Sequence, residues 1–147
     1  MGVAYHGHYL AWYEMGRTEL MRQLGCAYAD VERREKIFFP VVEAGSRYLT
    51  PARYDDELEV RTRLAHVGGA RVRFEYELIR GADQRLLATG FTEHASVGST
   101  GRPVRLPAGL RAKLKSGLAP AGAGSPAGPG EADGKRESRG VPRERSS

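Results

Sequence analysis

An α+β domain, one long helix followed by a run of antiparallel strands, is what three features of this 147-residue sequence predict. Apolar residues recur at a helical period near the N-terminus, at Leu10, Tyr13, Leu20, Met21 and Leu24. From Glu57 onward the period changes to two, the mark of half-buried strands. Glycine-bearing turns separate the alternating runs closely enough for consecutive strands to pair antiparallel, so the helix covers one face of their sheet.

The opening stretch, residues 1–10, is a glycine-bearing loop feeding a helix that continues to Leu24, with Gly25 placed to cap it. Ala11, Gly16 and Thr18 keep the helix slim enough to be surrounded by sheet. Residues 30–36 are rich in charge and form a connector with one helical turn. Residues 38–49 are strand-like. In the turn 50–56, Pro51 lacks a ladder donor and Asp55 and Asp56 suit turn positions.

Leu58, Val60, Thr62 and Leu64 then alternate with Glu59, Arg61 and Arg63, and Val72, Phe74, Tyr76 and Leu78 alternate with Arg71, Arg73, Glu75 and Glu77. A hairpin across Gly68 and Gly69 joins the two runs, and charge complementarity selects its register. A three-residue loop, 68–70, sets Leu64 opposite Phe74 and Val60 opposite Leu78, and faces Arg63 to Glu75 and Arg61 to Glu77. Residues 81–84 make the next turn, 86–97 a third long strand and 98–101 another turn. Residues 107–114 close the domain with a short helix opening at Pro107.

The length allows one domain, and composition shortens it. Residues 1–116 carry the fold. Residues 117–147 are Gly, Pro, Ala, Ser and charge, with Leu118 and Val141 the only large aliphatics, and are expected to be a disordered tail. The tail holds five basic and four acidic residues, so all but one of the formal +5 belongs to the domain, too mild an excess for a nucleic-acid partner. Cys26 stands alone, which excludes a disulfide framework and a thiolate metal cluster. No stretch has the length of a membrane span or the pattern of a secretory leader, so no membrane insertion and a cytoplasmic location are expected.

Gly2-Val3-Ala4-Tyr5-His6-Gly7-His8-Tyr9-Leu10, followed by Trp12-Tyr13-Glu14 and Arg17-Thr18-Glu19, resembles the opening motif of the hot-dog-fold acyl-CoA thioesterases of the 4-hydroxybenzoyl-CoA thioesterase type, YbgC-like branch. Val41-Val42-Glu43-Ala44, Arg47-Tyr48-Leu49 and Pro51-Ala52-Arg53-Tyr54-Asp55-Asp56 look like that family's second block, and Leu87-Ala88-Thr89-Gly90 and Gly101-Arg102-Pro103-Val104 like its last strand and turn. The likeness runs from Met1 to about Leu114. It implies a hot-dog fold, an antiparallel sheet wrapped around one long central helix. It also implies a homodimer joining two sheets edge to edge, or a tetramer of such dimers, with active sites at the subunit interface. The implied activity is hydrolysis of short-chain or aromatic acyl-CoA to acid and CoA without metal or organic cofactor, with acyl carrier protein a further partner.

The family's usual mechanism sets a carboxylate just upstream of the helix, as nucleophile or as general base for water, and a backbone N–H at the helix start that polarises the thioester carbonyl. That aspartate, with the family's first strand, lies a short way before the position of Met1. The expectation is a start assigned inside the motif, since the remaining motif is intact and the sheet would otherwise expose an unpaired edge; an inactive relative is the alternative.

Physical chemistry supports the polarising half independently. The first turn of a helix carries unpaired N–H groups at the positive end of its dipole, so residues 6–8 form an oxyanion site. By the family's pattern the polarising N–H maps onto His6, with Tyr5 beside it as the other catalytic candidate. Gly2 lets backbone approach the substrate, and Tyr9 and Glu14 are expected to contact it. Arg71 and Arg102 flank turns and are candidates for coenzyme A phosphates.

Each assignment has a plainer alternative. His6 could be a structural histidine. A metal on His6 and His8 is disfavoured because the pair sits at a loop-to-helix junction rather than at i, i+4. Glu14 and Arg17 could be a surface pair, the arginines solvated, and Tyr5, Tyr9, Trp12 and Tyr13 core aromatics. Three classes of function stay open: a thioesterase, a non-catalytic acyl-CoA or acyl-carrier-protein binding protein, and a structural partner in an envelope or lipid-synthesis complex. Hydration of enoyl-CoA needs an Asp/His pair in another motif, which the sequence lacks.

Overall fold

The computed structural model describes residues 7–53 and 55–119. Helix α1 (Gly7–Gln23) leads into α2 (Tyr28–Glu35), then β1 (Val41–Tyr48), β2 (Leu58–Val67), β3 (Arg71–Arg80), β4 (Arg85–Ala95) and α3 (Ala108–Ser116). The strands form one antiparallel sheet in the order β1-β4-β3-β2, which leaves β1 and β2 at its edges among the described residues.

Helix α1 ends where Gly25 adopts φ +80°. Its N–H bonds Arg22 C=O at 3.1 Å while Cys26 N–H bonds Met21 C=O at 2.8 Å, the two hydrogen bonds of a Schellman cap. Cys26 is thereby buried, as packing rather than chemistry. The connector is longer than its charge content suggests: α2 has two turns and ends on Lys36, a non-glycine residue at φ 58°. Its buried Val31 gives the helix a face to pack.

Glycine lets α1 lie close on the sheet. A Cβ at Gly16 would run into Thr62 Oγ1, and one at Gly90 would sit 2.5 Å from the Tyr13 ring. Tyr13 in turn stacks on Tyr76, centroids 4.5 Å apart and rings 12° from parallel. Phe74, Tyr76 and Leu78 of β3 and Leu64 of β2 fill the space under the helix. The opposite sheet face is charged. Arg63 bonds Glu75 at 2.9 Å, Arg73 bonds Glu75 at 3.1 Å and Glu93 at 3.4 Å, and the Arg73 guanidinium lies 4.1 Å above the Phe91 ring.

Three expectations are corrected. Within the subunit α1 is covered on one side only: Leu10, Ala11, Glu14, Met15 and Thr18 are exposed, Leu10 at 48% and Met15 at 64%. The buried stripe is Tyr9, Trp12, Tyr13 and Met21, and Leu10 lies about 100° around the helix from Tyr9. The hairpin has the expected pairs, Leu64 with Phe74, Val60 with Leu78, Arg63 with Glu75 and Arg61 with Glu77, but not the expected loop. Gly68 N–H bonds Arg71 C=O at 2.8 Å, closing a two-residue turn at 69–70, and a bulge at Ala65 restores the phase. Finally, the fold continues past residue 116. A Cβ at Gly117 would lie 2.5 Å from Leu24, and Leu118 pairs with Leu64. The rest of the expected tail, 120–147, lies outside the described residues, as does Tyr54 of the 50–56 turn. No helix among the described residues is long and apolar enough to cross a membrane.

The Tyr13 ring, held between the sheet and Tyr76, cannot yield to a new methyl group. Gly90→Ala is expected to lower unfolding stability by about 1–3 kcal/mol in denaturant titrations. Gly109 in α3 has nothing within 4 Å of an added Cβ, so Gly109→Ala is expected to raise stability by about 0.5–1 kcal/mol.

Candidate functional site

Of the residues singled out around the oxyanion site, Gly2, Tyr5 and His6 lie outside the described residues. The structure takes up the helix at Gly7. The first turn of α1 contains no acidic side chain, so no carboxylate of its own neutralises the positive end of the dipole. Beside it stand aromatic rings. Tyr9 meets Tyr48 of β1 edge-on at 4.6 Å and 84°, Trp12 lies 5.5 Å from Tyr9, and His8 lies 5.8 Å from Trp12. Tyr48 stays 42% exposed, so the wall is open to solvent at the sheet edge.

The phenols here are not bases. Burial pushes the Tyr9 hydroxyl up to about 12, against the opposing effect of a backbone hydrogen bond with Ala52, and burial likewise raises Tyr13. Tyr13 is tied down: its hydroxyl is 2.8 Å from Ser46 Oγ, which donates to Thr89 C=O at 3.2 Å and so leaves Tyr13 as donor. Glu14, expected to contact substrate in an enclosed helix, is exposed because α1 is covered on one side only. This site can polarise a carbonyl at the helix start and pack an apolar or flat acyl group against rings.

Arg71 and Arg102 are not brought to this place within the subunit. Tyr48, which touches Tyr9, pairs with Ala88, whereas Arg71 pairs with Ala95, seven residues and roughly 20 Å further along β4. Arg102 lies further still, next to the 98–101 turn, where Gly98 N–H bonds its C=O at 2.9 Å. Both are exposed at the end of the sheet remote from the start of α1.

A buried polar chain under α1 was missed. His94 Nδ1 lies 3.0 Å from Phe39 C=O, which can only accept, so Nδ1 carries the proton and Nε2 accepts from Thr92 at 2.8 Å. Thr92 Oγ1 must then accept from Tyr76 at 2.6 Å, and Tyr76 accepts from Arg17 Nη1 at 3.4 Å. The donors run in one direction from α1 to the segment before β1. Burial, aided by the Arg17 charge, pushes His94 down to about 4, so it is neutral. The signal was present as Thr92, His94 and Ser96, buried polar residues at a period of two. Among the described residues no group of His, Cys, Asp and Glu could hold a metal ion.

A long helix laid across an antiparallel sheet, with its start facing an edge strand, is the hot-dog arrangement. A family model described as the thioesterase-like superfamily matches residues 1–114, and the chain belongs to that family. YneP of Bacillus subtilis is 33% identical over 84 residues, 57% of this chain and 60% of YneP, so the match spans less than two thirds of that relative. The acyl-CoA thioesterase YbgC of Haemophilus influenzae is 32% identical over 111 residues, 76% of this chain and 81% of that protein. Among solved structures, a DHNA-CoA thioesterase from Staphylococcus aureus is similar with a TM-score of 0.71 at 29% identity, covering 79% of this chain and 81% of that one.

Because the folded state keeps His94 neutral while the unfolded chain takes up a proton near 6.5, stability is complete above that pH and is lost as pH falls towards 4. The loss is expected to reach about 3 kcal/mol. Denaturant midpoints measured across this range check it, and His94→Gln should flatten that part of the profile.

Proposed function

We propose that this protein is an acyl-CoA thioesterase for short-chain or aromatic acyl groups, acting in the cytoplasm with its active site at the start of α1. The observation that carries the reading is the start of α1, with no acidic side chain in its first turn, beside the ring wall of Tyr9, Trp12 and Tyr48. Similarity to YbgC and to a DHNA-CoA thioesterase supports the reaction class, and the ring wall supports a flat substrate.

In this proposal the thioester carbonyl oxygen sits against the backbone N–H groups of the opening turn, His6 foremost, with Tyr5 and Gly2 lining the approach. Water adds to the carbon, the oxyanion is held by those N–H groups, and the C–S bond breaks to release CoA thiol and the free acid. The carboxylate that the resemblance implies upstream of the helix would take the proton from water and return it to the departing thiolate. The acyl group lies against Tyr9 and Tyr48, and Glu14 borders the open side. Use of Arg71 and Arg102 for coenzyme A phosphates then needs a site completed by a second subunit.

The second subunit has a place to dock. Leu10 and Met15 on α1 and Tyr48 on the edge strand β1 are exposed large apolar side chains around the site. A homodimer covering them would enclose the substrate.

The deciding experiment is thiol release from a panel of acyl-CoA and acyl-carrier-protein thioesters by residues 1–147, run beside the same chain with its in-frame preceding residues. Turnover by either supports hydrolysis, with aromatic acyl groups favoured. No release by either, with both folded, would move the reading to acyl-CoA binding. Leu10→Glu with Met15→Glu is expected to weaken self-association at least about 100-fold in sedimentation experiments and to abolish turnover with it.

A further inference from the structure

The sheet face under α1 is not filled as far as its edge. Directly opposed residues share a face, so Ser46 opposite Gly90 and Ala44 opposite Thr92 turn inward on β1, as Tyr48 does against Tyr9. Ala44 and Tyr48 are nonetheless exposed. Gly16 of α1 abuts Thr62 of β2 whereas Tyr13 reaches Ser46 of β1, so the flank of the helix that looks towards β1 is that of Leu10, Glu14 and Arg17. Leu10 and Glu14 are exposed as well. A trough therefore runs between this flank and the edge strand, with the stacked rings of Tyr13 and Tyr76 on its floor. One end is the start of α1. At the other end stand Arg17 and Tyr28, the latter with its ring centroid 6.1 Å from that of Phe39.

Two donors converge there without an acceptor. Arg17 is half-buried and its Nη1 bonds the Tyr76 hydroxyl at 3.4 Å, but no carboxylate of the described residues lies within 4 Å of it. Tyr28 Oη is buried and finds no acceptor for its proton. Burial raises that hydroxyl, against the opposing charge of Arg17 beside it, so it stays a donor. Glu14, one helical turn earlier, is exposed and makes no ion pair with Arg17. A partly desolvated guanidinium and a buried phenol each cost free energy until an acceptor arrives, and a carboxylate satisfies both at once.

We infer that Arg17 and Tyr28 select acyl groups that end in a carboxylate, held in the trough between α1 and β1. The inference rests on the thioesterase reading for the position of the thioester at the start of α1. Arg17 comes ten residues after Gly7, about 15 Å along the axis, and a helical side chain leans back by about one turn, so its guanidinium lies roughly 10 Å from the carbonyl site. An ion pair takes up about 4 Å of that distance. The remaining span of about 6 Å fits an extended chain of about six carbons or a single carboxylated ring. A neutral hydroxyl at the far end of the acyl group would meet the phenol but leave the guanidinium uncompensated, and the amides of the pantetheine arm would do the same. The inner face of β1 is separate from its hydrogen-bonding edge, so a second subunit paired on that edge would roof the trough without filling it.

The test uses the full chain, calorimetry and uncleavable thioethers of coenzyme A that carry a hexyl or a carboxypentyl group, so that it reads the trough whether or not a thioester is hydrolysed. The carboxypentyl ligand is expected to bind about tenfold tighter. Arg17→Met should reduce that preference to within about twofold, and Arg17→Lys should keep part of it. Tyr28→Phe should weaken the carboxypentyl ligand by about fivefold and leave the hexyl ligand unchanged. Glu14→Gln, which removes a like charge, should tighten the carboxypentyl ligand by about twofold. Thermal melts verify that each variant is folded, and Tyr28→Phe decides the matter if Arg17→Met is not. Preference for the carboxypentyl ligand without thiol release from any acyl-CoA would uphold the inference and remove the hydrolysis instead. Equal binding of the two thioethers, binding of neither, or preference for a hydroxybenzyl over a carboxybenzyl thioether would each overturn it. So would separation of the subunits by Arg17→Met in sedimentation, which would give Arg17 to a carboxylate of a second copy.

Discussion

The close seating of α1 on the sheet is the constraint on which the other features rest. It is achieved by removing side chains at two crossing points, Gly16 on the helix and Gly90 on β4, so that Thr62 and the Tyr13 ring can occupy the gap. With Tyr13 stacked on Tyr76 and bonded to Ser46, the helix can neither slide nor rotate without breaking an aromatic contact and a hydrogen bond together. That fixes the start of α1 against Tyr48 on the edge strand. The start of α1 therefore meets a wall of aromatic rings.

Burying polar groups beneath that helix costs free energy unless each finds a partner. The chain from Arg17 through Tyr76, Thr92 and His94 to Phe39 meets the requirement with one proton per link. It also explains why a histidine in the interior is no candidate for acid–base work: both ring nitrogens are committed, and burial keeps the ring neutral. Its role is to join the helix, the central strands and the segment entering β1 into one unit.

The charges sort by the same physical rule. Across the outer face, arginines and glutamates alternate between neighbouring strands and neutralise one another, which leaves a solvated surface with little net field.

Local patterning was enough to place the long helix, the four strands in order, and the β2–β3 register, because alternation and cross-strand charge pairs are properties of short stretches. The opening motif likewise pointed to the family before any fold was known. Three-dimensional contacts decided the rest. Which side of α1 is buried depended on the sheet beneath it, so Tyr9 went inside and Leu10 stayed out although both are apolar. The turn at 69–70 and the Ala65 bulge are two ways of absorbing one residue, and only sheet twist and packing choose between them. The hydrogen-bonded chain that ends on His94 and Phe39 draws on α1, β3, β4 and the segment before β1, and Arg71 was separated from the start of α1 by the length of a strand. The sequence by itself determined periodicity, turn positions and the identity of the motif; side-chain neighbours distant in the chain are created only when the elements pack.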